Sequence, residues 1–85
     1  MYKRYVDVIM LNDKQGEIRP LYLRWEDKTY KIEKYELIGP RNSHVGGVGV
    51  LYVCKIHGKS RHLYYEKKNR WFVESTQPQD SDELK

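Results

Sequence analysis

Apolar and polar residues alternate with a period of two along most of the chain, and no helical spacing persists over a window of about 11 residues. That pattern predicts strands over residues 5–11, 18–25, 29–38, 48–57, 61–66 and 70–75, separated by turn signals. The first turn signal is Asn-Asp-Lys-Gln-Gly, ending at Gly16, which suits a positive φ. Pro20 removes a backbone donor from the second strand and so marks an edge, a strand end or a bulge. Glu26, Asp27 and Lys28 turn the chain into the third. There the apolar phase changes: Tyr30 and Ile32 share one face, Tyr35 and Leu37 the other. A β-bulge near Glu33 and Lys34 restores one face to all four and bends the strand as a closing barrel requires, and a helical turn over 32–38 is the competing account.

Residues 39–47 form the longest connection and lead into two hairpins. Gly58-Lys59 suits a type II′ turn, and Asn69 is able to close the loop 67–69 in the left-handed conformation. The first turn would pair Lys55 with His62, Cys54 with Leu63 and Tyr52 with Tyr65. Val50, Tyr52, Cys54, Ile56, Leu63 and Tyr65 then join Trp71 and Val73 on a nearly all-apolar face, the expected core. Val53, Tyr64 and Phe72 stand together on the other face, more apolar surface than a small monomer usually exposes. The N-terminal strands, the C-terminal tail or a ligand must cover them.

These elements predict an all-β fold: a small antiparallel barrel or strongly bent sheet of five or six strands, SH3-like or OB-like. At 85 residues the chain has room for a single core, so residues 1–75 are read as the one domain. Residues 76–85 carry three acids, one lysine and no aromatic residue, and are read as a disordered acidic tail. Without that tail the body holds 15 Lys/Arg against 9 Asp/Glu, a balance of +6 on a surface rich in tyrosine. The N-terminal MYKRYVDVIML is interrupted by Asp7 and has too short an apolar run for a signal peptide, and no run approaches the roughly 18 apolar residues of a membrane span. A cytoplasmic protein is expected, with its one cysteine, Cys54, a small buried residue rather than a reactive thiol.

Candidate chemistry concentrates in HVGGVGVLYVCKIHG, residues 44–58. A phosphate-binding glycine loop opens a helix whose amides and dipole meet the anion, but here the glycines lead into a strand. Gly46, Gly47 and Gly49 are therefore read as permitting a bulge or a close approach between backbones. Cys54, His57 and His62 do not converge on one metal, because alternation projects Cys54 from one face and the histidines from the other. Ser43 beside His44 lacks an orienting acid, and Glu26 with Asp27 sits in a turn where carboxylates serve solvation. No enzyme, cofactor or metal is expected.

The segments RPLYLRWED, YKIEKYEL, GGVGVLYVCKIHGK, LYYE and WFVE together are similar to an uncharacterised family of small all-β proteins from Gram-positive bacteria. Its pattern is Gly-Gly-x-Gly before a Tyr-x-Cys-basic-Ile strand and a closing Trp-Phe-Val-Glu, and the likeness spans most of residues 6–74. The connection GPRNSHV departs from it, standing where the family is richer in Ala and Arg. The resemblance implies a bacterial β domain and no activity.

Basic side chains interleaved with aromatics on strands and turns point to a binding module for single-stranded nucleic acid or another polyanion. The residues expected to carry it are Arg41, Lys55, His57, Lys59, Arg61, His62, Tyr64, Lys67, Lys68 and Arg70. The alternative is a protein interaction module using an exposed sheet edge or the Val53, Tyr64 and Phe72 patch.

Overall fold

A computed structural model of the chain describes residues 1–77, so most of the expected acidic tail lies outside the described residues. Among the described residues there is no helix, and therefore none long and apolar enough to cross a membrane. The described residues form seven strands: β1 (Tyr2–Asn12), β2 (Ile18–Trp25), β3 (Lys28–Lys31), β4 (Lys34–Asn42), β5 (Val48–Ile56), β6 (Lys59–Glu66) and β7 (Arg70–Ser75). All neighbours are antiparallel, in the order β3-β2-β1-β7-β6-β5-β4, and the sheet curls into a half-barrel.

The seventh strand comes from the phase change in the expected third one. It is neither a bulge nor a helical turn. β3 stops at Lys31 on one edge of the sheet and β4 starts at Lys34 on the other. Between them the Ile32 amide donates to the Leu21 carbonyl of β2 at 2.9 Å, and the Glu33 amide to the Lys55 carbonyl of β5 at 2.8 Å. The chain therefore turns a corner that links both edges, and this restores Tyr35 to the same interior as Tyr30 and Ile32. Bulges do occur elsewhere, between Ile9 and Met10 in the β1–β2 ladder and between Leu37 and Gly39 in the β4–β5 ladder. Beyond the second of these, β4 continues to Asn42, so the long connection shrinks to residues 43–47.

β1 is long enough to serve two ladders in succession. Its first half pairs with β7 and its second with β2, so it bends the sheet back over itself. The interior between the two layers holds Leu23 and Ile32 from one side and Tyr52, Cys54, Ile56, Leu63 and Trp71 from the other. Trp71 meets Tyr65 and Tyr52 at centroid distances of 4.8 and 5.3 Å in tilted or edge arrangements, which suit the ring quadrupoles. The Tyr52 hydroxyl donates to the Ile18 carbonyl at 3.0 Å, so no buried polar atom is stranded there.

The β5–β6 turn differs from the expected one. Its central residues are His57 (φ 51°) and Gly58 (φ 74°), the two positive values of a type I′ turn, and Cys54 faces Arg61 while Tyr52 faces Leu63. His57 accepts this backbone because its ring packs edge-on against Tyr30 at 5.2 Å and Glu33 accepts the Gly58 amide at 3.3 Å. The pairing is displaced by two residues, an even number, so the side chains within the ladder keep the face that alternation assigned to them, while His57 leaves the ladder for the turn. The 67–69 loop closes with Lys68 and Asn69 both left-handed.

On the outer face the expected patch is not open. Tyr64 and Phe72 stack with centroids 5.0 Å apart and planes 6° from parallel, and with Leu51 they are buried under Tyr5, Ile38 and Val45. Gly49 makes that stack possible: a Cβ built there would stand 3.1 Å from Tyr64 Cβ and 3.4 Å from Phe72 Cε2. Gly49→Ala is expected to cost about 1–3 kcal/mol through overpacking, measured as a lower urea midpoint with an unchanged m-value. Cys54 is wholly buried, and desolvation pushes its thiol up to about 11. A thiol reagent at neutral pH should label it only as fast as the protein opens, and addition of denaturant should bring the rate to that of a free thiol.

Candidate nucleic-acid interface

The ladder between β6 and β7 is short. It runs from Glu66↔Arg70 to Tyr64↔Phe72 and ends there, so residues 59–63 of β6 and 73–75 of β7 diverge. Between them, roofed by the β2–β3 hairpin, lies an open groove of about 880 Å³. Its floor is apolar, from Leu23, Ile56 and Val73, and Trp25 and Tyr30 stand half-buried along one wall. Across from them are Lys59 and Arg61, which alternation turns to the concave face, with His57 and His62 at the rim. All four of these basic side chains are exposed, and among the described residues Glu74 is the one carboxylate in the lining. Glu74 is engaged on its own account, accepting from Ser43 Oγ at 3.0 Å and from the His44 amide at 2.7 Å.

Trp25 is held in place from behind. The buried Arg4 guanidinium lies 4.1 Å from its ring centroid and 3.6 Å from Glu26 Oε1, so a cation–π contact and an ion pair fix the indole at the mouth. Arg4, Trp25 and Tyr30 are absent from the residues singled out in the sequence. The signal for Arg4 was the alternation Arg4, Val6, Val8 in β1, which turns a cation toward the interior; the signal for the two rings was their place beside the Glu26-Asp27 turn.

The ten expected site residues do not form one surface. His57, Lys59, Arg61 and His62 gather at the groove. Lys67, Lys68 and Arg70 lie at the opposite end of β6, roughly 25 Å away at about 3.3 Å per strand residue, and Arg41 belongs to the same end through its pairing with Gly49. Lys55 stands directly opposite Lys34 on the outer face, and Tyr64 is buried against Phe72, with no face open to a ligand. Among the described residues no group of three or more His, Cys, Asp or Glu side chains is placed to hold a metal ion.

The far end is a structural clasp. Glu66 accepts from the Tyr5 hydroxyl at 2.6 Å and from Lys3 Nζ at 3.0 Å, Lys3 lies 4.5 Å from the Phe72 ring centroid, and Arg70 lies 3.8 Å from that of Tyr5. These contacts cap the outer apolar cluster. The Tyr5 hydroxyl, and after it Lys3, hold the Glu66 carboxyl below its ordinary value of 4.5. A carboxylate depressed in this way stabilises the fold above its unfolded-state value, and the contribution is lost as pH falls through the lower folded-state value. Glu66→Gln should therefore cost about 1 kcal/mol at pH 7, with variant and parent converging as pH falls through the lowered folded-state value in chemical denaturation.

No family model, no curated protein and no solved structure matches this chain, and the assignment of the groove rests on its geometry and chemistry.

Proposed function

We propose that the protein is a non-catalytic module that binds single-stranded nucleic acid in the groove between β6 and β7. The observation that carries this reading is the convergence of two ring side chains, Trp25 and Tyr30, with Lys59, Arg61, His57 and His62 around one opening. Bases are sequence-tolerant stacking partners for aromatic faces, and the phosphates that follow them at regular intervals need mobile cations nearby. Exposed Lys and Arg side chains supply that charge with little desolvation cost, while the apolar floor excludes water from the stacked base. A small rigid fold has no need to move for this.

Docking of a protein on the outer patch has less support, because Tyr64 and Phe72 are covered by the protein's own Tyr5, Ile38 and Val45. The sheet edges also carry features that discourage strand addition: β3 has four residues with a lysine at each end, and β4 carries Lys34, the Gly39 bulge, Pro40 and Arg41.

Binding of a fluorescein-labelled single-stranded oligonucleotide, followed by anisotropy, tests the assignment. Lys59→Gln with Arg61→Gln should weaken binding about tenfold at low salt and lower the log–log salt slope by about 1.4, two phosphate contacts at about 0.7 each. Lys67→Gln with Lys68→Gln, at the remote end, should change it less than about twofold. Equal losses from the two pairs, or no binding by the parent chain at low salt, would overturn the reading.

A further inference from the structure

We infer that the fork between β6 and β7 reads the Watson–Crick edge of an unpaired base through backbone groups, so that the groove selects single strands over duplex. This selection rests on the nucleic-acid reading of the groove. Along an antiparallel strand, successive residues turn their N–H and C=O together to alternate sides. The Lys55 carbonyl accepts from the Glu33 amide, so Lys55 faces β4 and its neighbours Cys54 and Ile56 face β6. Cys54 is paired with Arg61 and Ile56 with Lys59, which turns the backbone of those two β6 residues toward β5. Ser60 and His62 therefore aim theirs the other way, into the fork, where the ladder to β7 has already ended at Tyr64↔Phe72. The same alternation on β7 directs Phe72 toward β6 and, two residues on, Glu74 into the fork. Ser60, His62 and Glu74 all line the groove.

Each of these residues offers one donor and one acceptor side by side. The Watson–Crick edge of every base does the same, with an amino or imino N–H next to a carbonyl oxygen or ring nitrogen. A base held by its face against Trp25 or Tyr30 keeps its edges free to bond the groove walls. Along β6 the two functions alternate: Lys59 and Arg61 send cations to the concave face for phosphates, while Ser60 and His62 turn peptide groups to the fork. A paired base has already spent that edge on its partner, and peptide groups left unmet beneath a bound strand each forfeit a hydrogen bond.

The shape of the fork favours a base over an added polypeptide strand. Such a strand needs neighbours at roughly 4.8 Å along its length. β7 offers only Glu74 before it ends at Ser75, and the fork closes to a ladder at Tyr64↔Phe72. A flat ring enters a tapering gap, and the four basic side chains around it suit a phosphodiester chain.

Two measurements on the unaltered protein test this. The first compares oligothymidylate with the same strand methylated at N3 of every thymine, by anisotropy at low salt. Methylation keeps charge and stacking and removes the donor of the edge, so it should weaken binding about tenfold or more, and a duplex of equal length should bind as weakly. The second follows amide resonances during titration with oligothymidylate. The amides of Ser60, His62 and Glu74 should shift downfield further than those of Arg61 and Leu63, which face β5. Methylated and parent strands bound within about twofold of each other, duplex bound as tightly as single strand, or equal shifts across β6 would overturn the inference and leave the nucleic-acid reading standing. No binding of any strand would remove both. If an acidic octapeptide of alternating Asp and Thr moves the three amides and no oligonucleotide does, the fork takes an added strand and the inference fails.

Discussion

Two consecutive backbone amides set the architecture. Ile32 bonds to β2 and Glu33 to β5, so one peptide step ties the two edges of a seven-stranded sheet to each other. An open sheet of this size would twist and leave one face wet; tethering its edges forces it to curl, and curling gives the apolar face something to pack against, namely itself. Trp71, Tyr52 and Tyr65 can then fill an interior that a flat sheet would not enclose. The same tether brings the β2–β3 hairpin over β6, which is how Trp25 and Tyr30 come to face Lys59 and Arg61.

Curling has a geometric consequence in the short ladders. β6 stays paired with β7 only from Glu66↔Arg70 to Tyr64↔Phe72, whereas β7 stays with the first half of β1 out to Tyr2↔Ser75, so β6 and β7 separate after Tyr64↔Phe72. The groove is the space left by that separation. At the opposite end the strands stay together, and the outer face is closed by the stacked Tyr64 and Phe72 beneath the Lys3, Tyr5, Glu66 and Arg70 clasp. One end of β6 is therefore closed by the clasp and the other is left open at the groove. The basic residues at the two ends have different work: Arg70 and Lys3 are held over rings, whereas Lys59 and Arg61 project from exposed positions.

Much of the fold was legible in the sequence because strand alternation is a local property. The all-β class, the positions of the strand segments other than 29–38 and the inward set around Cys54, Leu63 and Trp71 follow from period two, and Gly49 does mark a close approach, though to the Tyr64 and Phe72 side chains rather than between backbones. Even where the β5–β6 turn was displaced, the error was even, and parity protected the assignment of faces. The phase change at residues 32–34 was visible too, but its cause was not. A bulge, a helical turn and a corner between two edges all shift the phase by one, and they differ only in which distant carbonyls accept the amides of Ile32 and Glu33.

The site divides along the same line. Sequence determined which residues carry charge and which carry rings, but it set Lys59 in the turn; the turn at His57-Gly58 is what puts Lys59 on β6, on one face with Arg61. Whether those charges share a surface with Lys67, Lys68, Arg70 and Arg41 was decided by the tertiary structure, which set the two groups at opposite ends of β6. It also buried Tyr64, turned Arg4 inward beneath Trp25, and opened the fork beside β7. The physical reason is that alternation fixes the side of a strand from which a residue projects, while accessibility depends on what the rest of the chain lays over that side, and that is set by contacts between residues far apart in sequence.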